Sequence, residues 1–205
     1  MEVRVDDKVL LVTGAAQGLG RAVALEAARS GAAAIILTDR NTQRGDEVVS
    51  EILKLGAKAA LVAADLEEHD APARIISAAI DQFARLDGLV NAAGLNDRGS
   101  VAEADTALFD HLFAVNTRAP MFLMQGLIRH LKERKAPGSI VNILSFQAHG
   151  AAVNLAVYSA DLSSNKSKHL RWELLCRQPC SSWVAQQAEL DREPKPIGLG
   201  PVTID

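Results

Sequence analysis

The chain has 205 residues, 48% of them hydrophobic, with 22 Lys and Arg against 25 Asp and Glu for a formal charge of −3. That is enough apolar material for one substantial core, which excludes a disordered chain, and the balance of charge gives no ground for nucleic acid or an anionic membrane as principal partner. No basic segment followed by an apolar one opens the sequence and no apolar run is long enough to span a bilayer, so a cytoplasmic location without a membrane partner is expected.

In chain order, strands are predicted at residues 8–12, 34–38, 59–63, 89–91 and 139–143. Each is short and rich in Val, Ile, Leu or Ala, as strands covered on both faces should be. Helices are predicted between them. The first, 20–30, stops at Gly31 and the second, 42–55, stops at Gly56, both natural C-terminal signals. The third, 70–85, has Pro72 near its start, where a missing N–H costs little. The fourth runs over 105–134, with Pro120 as the point where it could break. Five strands alternating with these four helices predict an α/β chain with a parallel sheet.

The character of the sequence changes after residue 160. Both tryptophans (Trp172, Trp183) and both cysteines (Cys176, Cys180) fall between residues 172 and 183. Two thiols without a second pair or a nearby histidine cluster favour neither a disulfide framework nor a metal site, and no metal is expected. Residues 1–160 are therefore read as one α/β region and 161–205 as a divergent terminal segment of the same domain.

The sharpest motif is Thr13-Gly14-Ala15-Ala16-Gln17-Gly18-Leu19-Gly20, directly after an apolar strand and directly before a helix. Gly14, Gly18 and Gly20 permit a tight turn and a close backbone approach to a pyrophosphate, which would then meet free N–H groups at the helix start. The bland alternative is a glycine-rich turn without a ligand. Asp39 ends the second strand, 19 residues beyond Gly20, near the spacing at which a carboxylate meets an adenosine ribose. Accepting from both ribose hydroxyls and repelling a 2′-phosphate, it favours NAD over NADP. Arg40 could soften that preference by pairing with a phosphate, or be a solvated charge, and Asp39 itself could be a turn or capping residue.

The spacing of Gly14, Gly18 and Gly20 resembles that of the short-chain dehydrogenase/reductase family. Asp65-Leu66 after the third strand is similar to the family's adenine-contacting pair. Asn91-Ala92-Ala93-Gly94 after the fourth is similar to its Asn-Ala-Ala-Gly segment. Asn116 in Val115-Asn116-Thr117, Ser145, and Tyr158 13 residues later follow in the family's order. The resemblance covers about four fifths of the chain. It implies a single-domain doubly wound parallel sheet, the Rossmann fold, incomplete at its C-terminal end. It also implies hydride transfer between NAD(H), or alternatively NADP(H), and a secondary alcohol or ketone. Gly14, Gln17, Gly18, Leu19, Gly20, Asp39, Arg40, Asp65, Leu66, Asn91, Ala92, Ala93 and Gly94 would hold the cofactor. Tyr158 would act as acid/base, Ser145 would hold the substrate oxygen, and Asn116 would organise the proton relay. Read singly, Ser145 and Asn116 are also ordinary loop or capping residues, and Tyr158 a half-buried packing aromatic. Gln147 and His149 could face the substrate, although a polar loop position serves His149 equally well. A homo-oligomer, dimer or tetramer, is expected by the same resemblance.

One landmark is missing. The family has lysine four residues after the tyrosine, on the same helix face, and this chain has Leu162. Lys166 and Lys168 lie about 12 and 15 Å from Tyr158 along a helix axis, at ~1.5 Å per residue. A phenol without a neighbouring cation carries little phenolate at neutral pH, so impaired proton transfer is expected. Residues 161–205 also do not supply the family's next strand and Pro-Gly loop, and the ending Gly198-Leu199-Gly200-Pro201-Val202-Thr203 reads as a terminal turn. The competing expectation is an inactive dinucleotide-binding protein or fragment.

Overall fold

Short segments that are almost wholly apolar can bury both faces only between two layers of helix, and a parallel sheet with crossover helices provides that. The computed structural model describes residues 4–145 and 155–164. They contain strands β1 (Val9–Thr13), β2 (Ala34–Asp39), β3 (Lys58–Ala63), β4 (Gly88–Asn91) and β5 (Ser139–Asn142). All pairings are parallel, in the order β3-β2-β1-β4-β5. The chain winds outward from β1 to β3, then returns to place β4 on the other side of β1. The direction of winding therefore reverses between β1 and β4, the point at which a doubly wound sheet opens a crevice at its carboxyl edge.

The helices are α1 (Gly18–Arg29), α2 (Thr42–Lys54), α3 (Ala71–Phe83), α4 (Thr106–Phe113), α5 (Ala119–Arg134) and α6 (Ala156–Ser164). Period-two alternation in the central strands serves both layers. Leu11, Ile36 and Leu89 join Ile75, Leu123 and Leu127 in one core, while Val12, Ile35 and Leu37 join Ala24, Val48 and Ile52 in the other. A fully buried side chain of this size contributes about 1.5–3 kcal/mol.

Three expectations need adjustment. The outer strands are not covered on both faces: β3 is half-buried along most of its length, and Val141 of β5 is 49% exposed. Each has a single partner strand among the described residues, so packing decides what propensity could not. Helix α1 starts at Gly18, two residues earlier than the glycine spacing suggested. The break expected at Pro120 lies just before it, as a π-helical segment over Ala114–Arg118. Pro120 has no N–H to give the carbonyl four residues back, that of Asn116, and the backbone widens into i→i+5 bonding such as Ala119 N–H to the Ala114 carbonyl.

At the amino edge of the sheet, Asp87 is 6% exposed and accepts from Val9 N–H at 2.9 Å, from Arg85 and from Arg134. Burial raises its pKa, but those hydrogen bonds together outweigh it and hold the carboxyl below the ordinary 3.8. Beside it, His130 Nε2 accepts the Leu86 N–H at 3.1 Å, which requires the neutral imidazole. Burial, and then the charge of Arg134, push its pKa below the ordinary 6.5 against weaker opposite pulls from Glu133 and Asp87. The unfolded chain therefore takes up the imidazole proton first. Stability falls as pH drops below about 6.5 and levels off once the folded imidazole protonates; the Asp87 contribution is lost only as pH passes down through its depressed value. We expect Tm to decline from pH 7 to pH 5, and His130→Gln to flatten that decline. An unchanged slope in the variant would remove His130 as the cause.

Candidate cofactor-binding and active site

The turn after β1 is built by glycines for reasons internal to the fold. Gly14 has φ +64, and a Cβ there would lie 2.8 Å from the Ala93 backbone; a Cβ on Gly20 would lie 2.2 Å from the Gly14 carbonyl oxygen. These two glycines let β1, α1 and the segment after β4 converge. Gly18 has φ +55 but open space around its missing Cβ. Thr13 and Thr38 lock the frame. The Thr13 hydroxyl oxygen accepts from Ala92 and Ala93 N–H at 3.0 Å each, and the Thr38 carbonyl accepts from Gly14 N–H at 2.9 Å.

No side chain caps α1; the side chain of Gln17, at the N-cap, instead accepts from Arg44 at 2.6 Å. The first-turn N–H groups of a helix have no intrahelical acceptor, and here they belong to residues that wall a cleft. The cleft, ≈ 290 Å³, is lined by the glycine turn and by the ends of β2, β3 and β4. Gly14, Gln17, Gly18, Leu19, Gly20, Asp39, Arg40, Asp65, Leu66, Ala92, Ala93 and Gly94 all lie on its wall. Asn91 does not. It is buried in β4, where its amide donates to the Asn142 side chain at 2.8 Å. Thr38, Ala64, Leu95 and Val115 also line the cleft without having been singled out. The first two precede Asp39 and Asp65, which is the signal that could have found them.

The Asp39 carboxylate reaches the glycine turn. One oxygen accepts from Ala16 N–H at 3.1 Å and the other from Asn41 N–H at 3.0 Å. The turn-residue reading describes these bonds, and since a carboxylate has about four acceptor sites, two remain. Asp65 accepts from Glu67 N–H at 3.0 Å in a similar local turn at the cleft wall.

None of the three reactive candidates is on the cleft wall. Asn116 is buried in the π segment, and its amide holds both backbone groups of one residue: Oδ1 accepts from Leu95 N–H at 2.8 Å and Nδ2 donates to the Leu95 carbonyl at 2.9 Å. Gly94, on the cleft wall, would bring a Cβ to 3.6 Å from the same Oδ1. Ser145 is half-buried just past β5, after Ile143 N–H has bonded the Asn91 carbonyl at 2.9 Å. Tyr158 is half-buried on α6, which packs against α4 and the π segment. The Thr117 hydroxyl donates to Asp161 across that contact. Leu162 is 6% exposed, a buried apolar side chain one turn past Tyr158. Gln147, His149, Lys166, Lys168 and the Cys and Trp residues lie outside the described residues. Among the described residues there is no cluster of three or more His, Cys, Asp or Glu suited to a metal ion, and no helix long and apolar enough to cross a membrane.

A parallel sheet whose switch-point crevice is walled by a glycine turn and an acidic strand end defines a Rossmann-type chain. The short chain dehydrogenase family pattern matches residues 8–162. A short-chain dehydrogenase/reductase of Cladobotryum is 36% identical over 81% of this chain and 63% of its own length. Versicolorin reductase 1 of Dothistroma septosporum is 36% identical over 62% of this chain and 49% of its length. A metagenomic short-chain oxidoreductase solved in complex with NADP superposes with a TM-score of 0.74 and 31% identity, over 80% of this chain and 75% of that one. The chain belongs to the short-chain dehydrogenase/reductase family of oxidoreductases, and it spans about half to two thirds of the length of these two curated relatives.

Proposed function

We propose that the chain binds NAD(H) in the switch-point cleft as the cofactor half of an alcohol or ketone oxidoreductase. The observation that carries the reading is the Asp39 carboxylate hydrogen-bonded to the glycine turn at the wall of that cleft. The residues present fit a dinucleotide. The uncapped start of α1 supplies N–H donors and a positive helix end for a diphosphate, and Asp39 retains acceptor capacity for a ribose. Bound there, the nicotinamide would supply hydride transfer to or from the substrate carbon.

Asn116 fixes the backbone of Leu95 on both sides of its Cα and so the shape of the cleft wall. Ser145 would hold the substrate oxygen by hydrogen bonding. Tyr158 would pass a proton to or from that oxygen as general acid or base. Leu162 favours a second reading, a dinucleotide-binding chain with little turnover, because an apolar side chain stands where the family places the cation beside its tyrosine.

Titration of the full chain with NADH and NADPH, followed by nicotinamide fluorescence, tests the first part. NADH is expected to bind more tightly. Asp39→Asn is expected to weaken NADH by about tenfold, the loss of one charge-assisted hydrogen bond, and to weaken NADPH little or not at all. A wild-type preference for NADPH would assign the cleft instead to Arg40 acting on a 2′-phosphate. No binding of either by folded protein would end the proposal.

A further inference from the structure

The helix that carries Tyr158 has a weak start. Helix α6 opens at Ala156, preceded by Leu155, which has no side-chain oxygen to satisfy the first-turn N–H groups. The acceptors come from another part of the chain. Asp97, in the segment that follows β4, is 5% exposed, and its two carboxylate oxygens accept from Val157 N–H and from Tyr158 N–H, each at 3.3 Å. Ala156 N–H donates to the Gly99 carbonyl at 3.2 Å. Three consecutive N–H groups of α6 are thus held by residues 97–99. Among the described residues Asp97 forms no ion pair, so a buried carboxylate is here committed to capping a helix in trans.

The same segment begins on the cleft wall. Gly94 and Leu95 line the cleft, and Asn116 bonds both the N–H and the carbonyl of Leu95. From cleft to tyrosine there is a short covalent path, residues 94–99, pinned at one end by Asn116 and at the other by the Asp97 bonds to α6. A carboxylate also favours a helix N-terminus electrostatically, and its two oxygens fix the direction of approach as a single acceptor would not.

We propose that Asp97 is a positioning residue for Tyr158: it sets where the tyrosine stands relative to the cofactor cleft by capping α6 from the segment that forms the cleft wall. The proposal rests on the reading of Tyr158 as the acid/base, but its first test does not. Tyr158 is the only tyrosine of the chain, so ring-labelled tyrosine gives a single site-specific NMR signal in the full-length protein. Asp97→Ala is expected to shift or broaden that signal. Asp97→Asn, which keeps one acceptor oxygen at unchanged size, is expected to fall between Asp97→Ala and wild type. NADH affinity should change less than about threefold in both variants, since Asn116 still holds Leu95.

In a Leu162→Lys background with measurable turnover, Asp97→Ala is expected to lower kcat by on the order of tenfold to a hundredfold, with KM for NAD little changed, the pattern of a displaced catalytic group. A folded Asp97→Ala protein with the wild-type tyrosine signal would overturn the proposal, as would a rise in KM with kcat unchanged. If Asp97→Ala does not fold, Asp97→Asn decides by the same signal. A tyrosine signal that moves in protein that binds neither dinucleotide would keep the capping role and defeat the proposed function instead.

Discussion

Gly20→Ala should leave a chain that no longer binds a dinucleotide and melts well below the parent. The added Cβ would lie 2.2 Å from the Gly14 carbonyl oxygen, 2.8 Å from its carbon and 3.0 Å from the Thr13 carbonyl oxygen, all of them backbone. Nothing flexible can yield. Gly14 is tied by its N–H to Thr38, Thr13 by its hydroxyl to Ala92 and Ala93, so relief must come from lifting the start of α1 off the turn. Overpacking against fixed backbone costs about 3 kcal/mol or more, and at 2–4 °C per kcal/mol for a chain of this size Tm should fall by roughly 6–12 °C. Affinity for NADH should drop at least a hundredfold, because the N–H donors move with the helix. Gly18→Ala is the control. Its Cβ meets nothing within 4 Å, and its left-handed φ of +55 costs only about 1–2 kcal/mol. Thermal melts and NADH titration of the two variants should therefore separate widely. Equal behaviour would mean that the glycine turn is not the rigid cradle described.

The contrast explains why the cofactor half was legible in the sequence. Gly20 is demanded by the Gly14 backbone six residues back, Gly14 by its own left-handed φ, and Asp39 by a turn that ends a strand, so residue type and spacing carry the information directly. The central strands were equally readable, since apolar runs such as Ile35-Ile36-Leu37 serve both cores at once. Contacts made across long sequence distances were not readable. Nothing in Asn116 or Asp97 announces that one clasps Leu95, 21 residues away, and the other caps a helix 60 residues on. Asn91 shows the converse. Its place in a familiar run suggested a ligand contact, whereas the amide lies within the sheet against Asn142. The exposure of β5 depends on what lies beside it, which no local pattern encodes.

Leu162→Lys carries the largest expected gain. The side chain it replaces is 6% exposed, one helical turn beyond Tyr158, so a lysine there would be partly desolvated as well as close to the phenol. Two effects then oppose one another. Removing a buried leucine and burying part of a cation should destabilise the chain by about 2–3 kcal/mol, and Tm should fall accordingly. A cation near a phenol favours phenolate, and proton transfer by a positioned group is worth about 10²–10⁴ in rate. With NAD and simple secondary alcohols, turnover of Leu162→Lys should therefore exceed that of the parent chain by at least a hundredfold. Leu162→Met is the reference, close in volume and uncharged; it should keep both the parent's Tm and its low turnover. If Leu162→Lys folds and binds NADH yet turns over no faster than Leu162→Met, the charge is not what limits the reaction. Tyr158 then lacks more than a neighbouring charge to serve as the general base of alcohol oxidation, and the dinucleotide-binding reading without turnover would take its place.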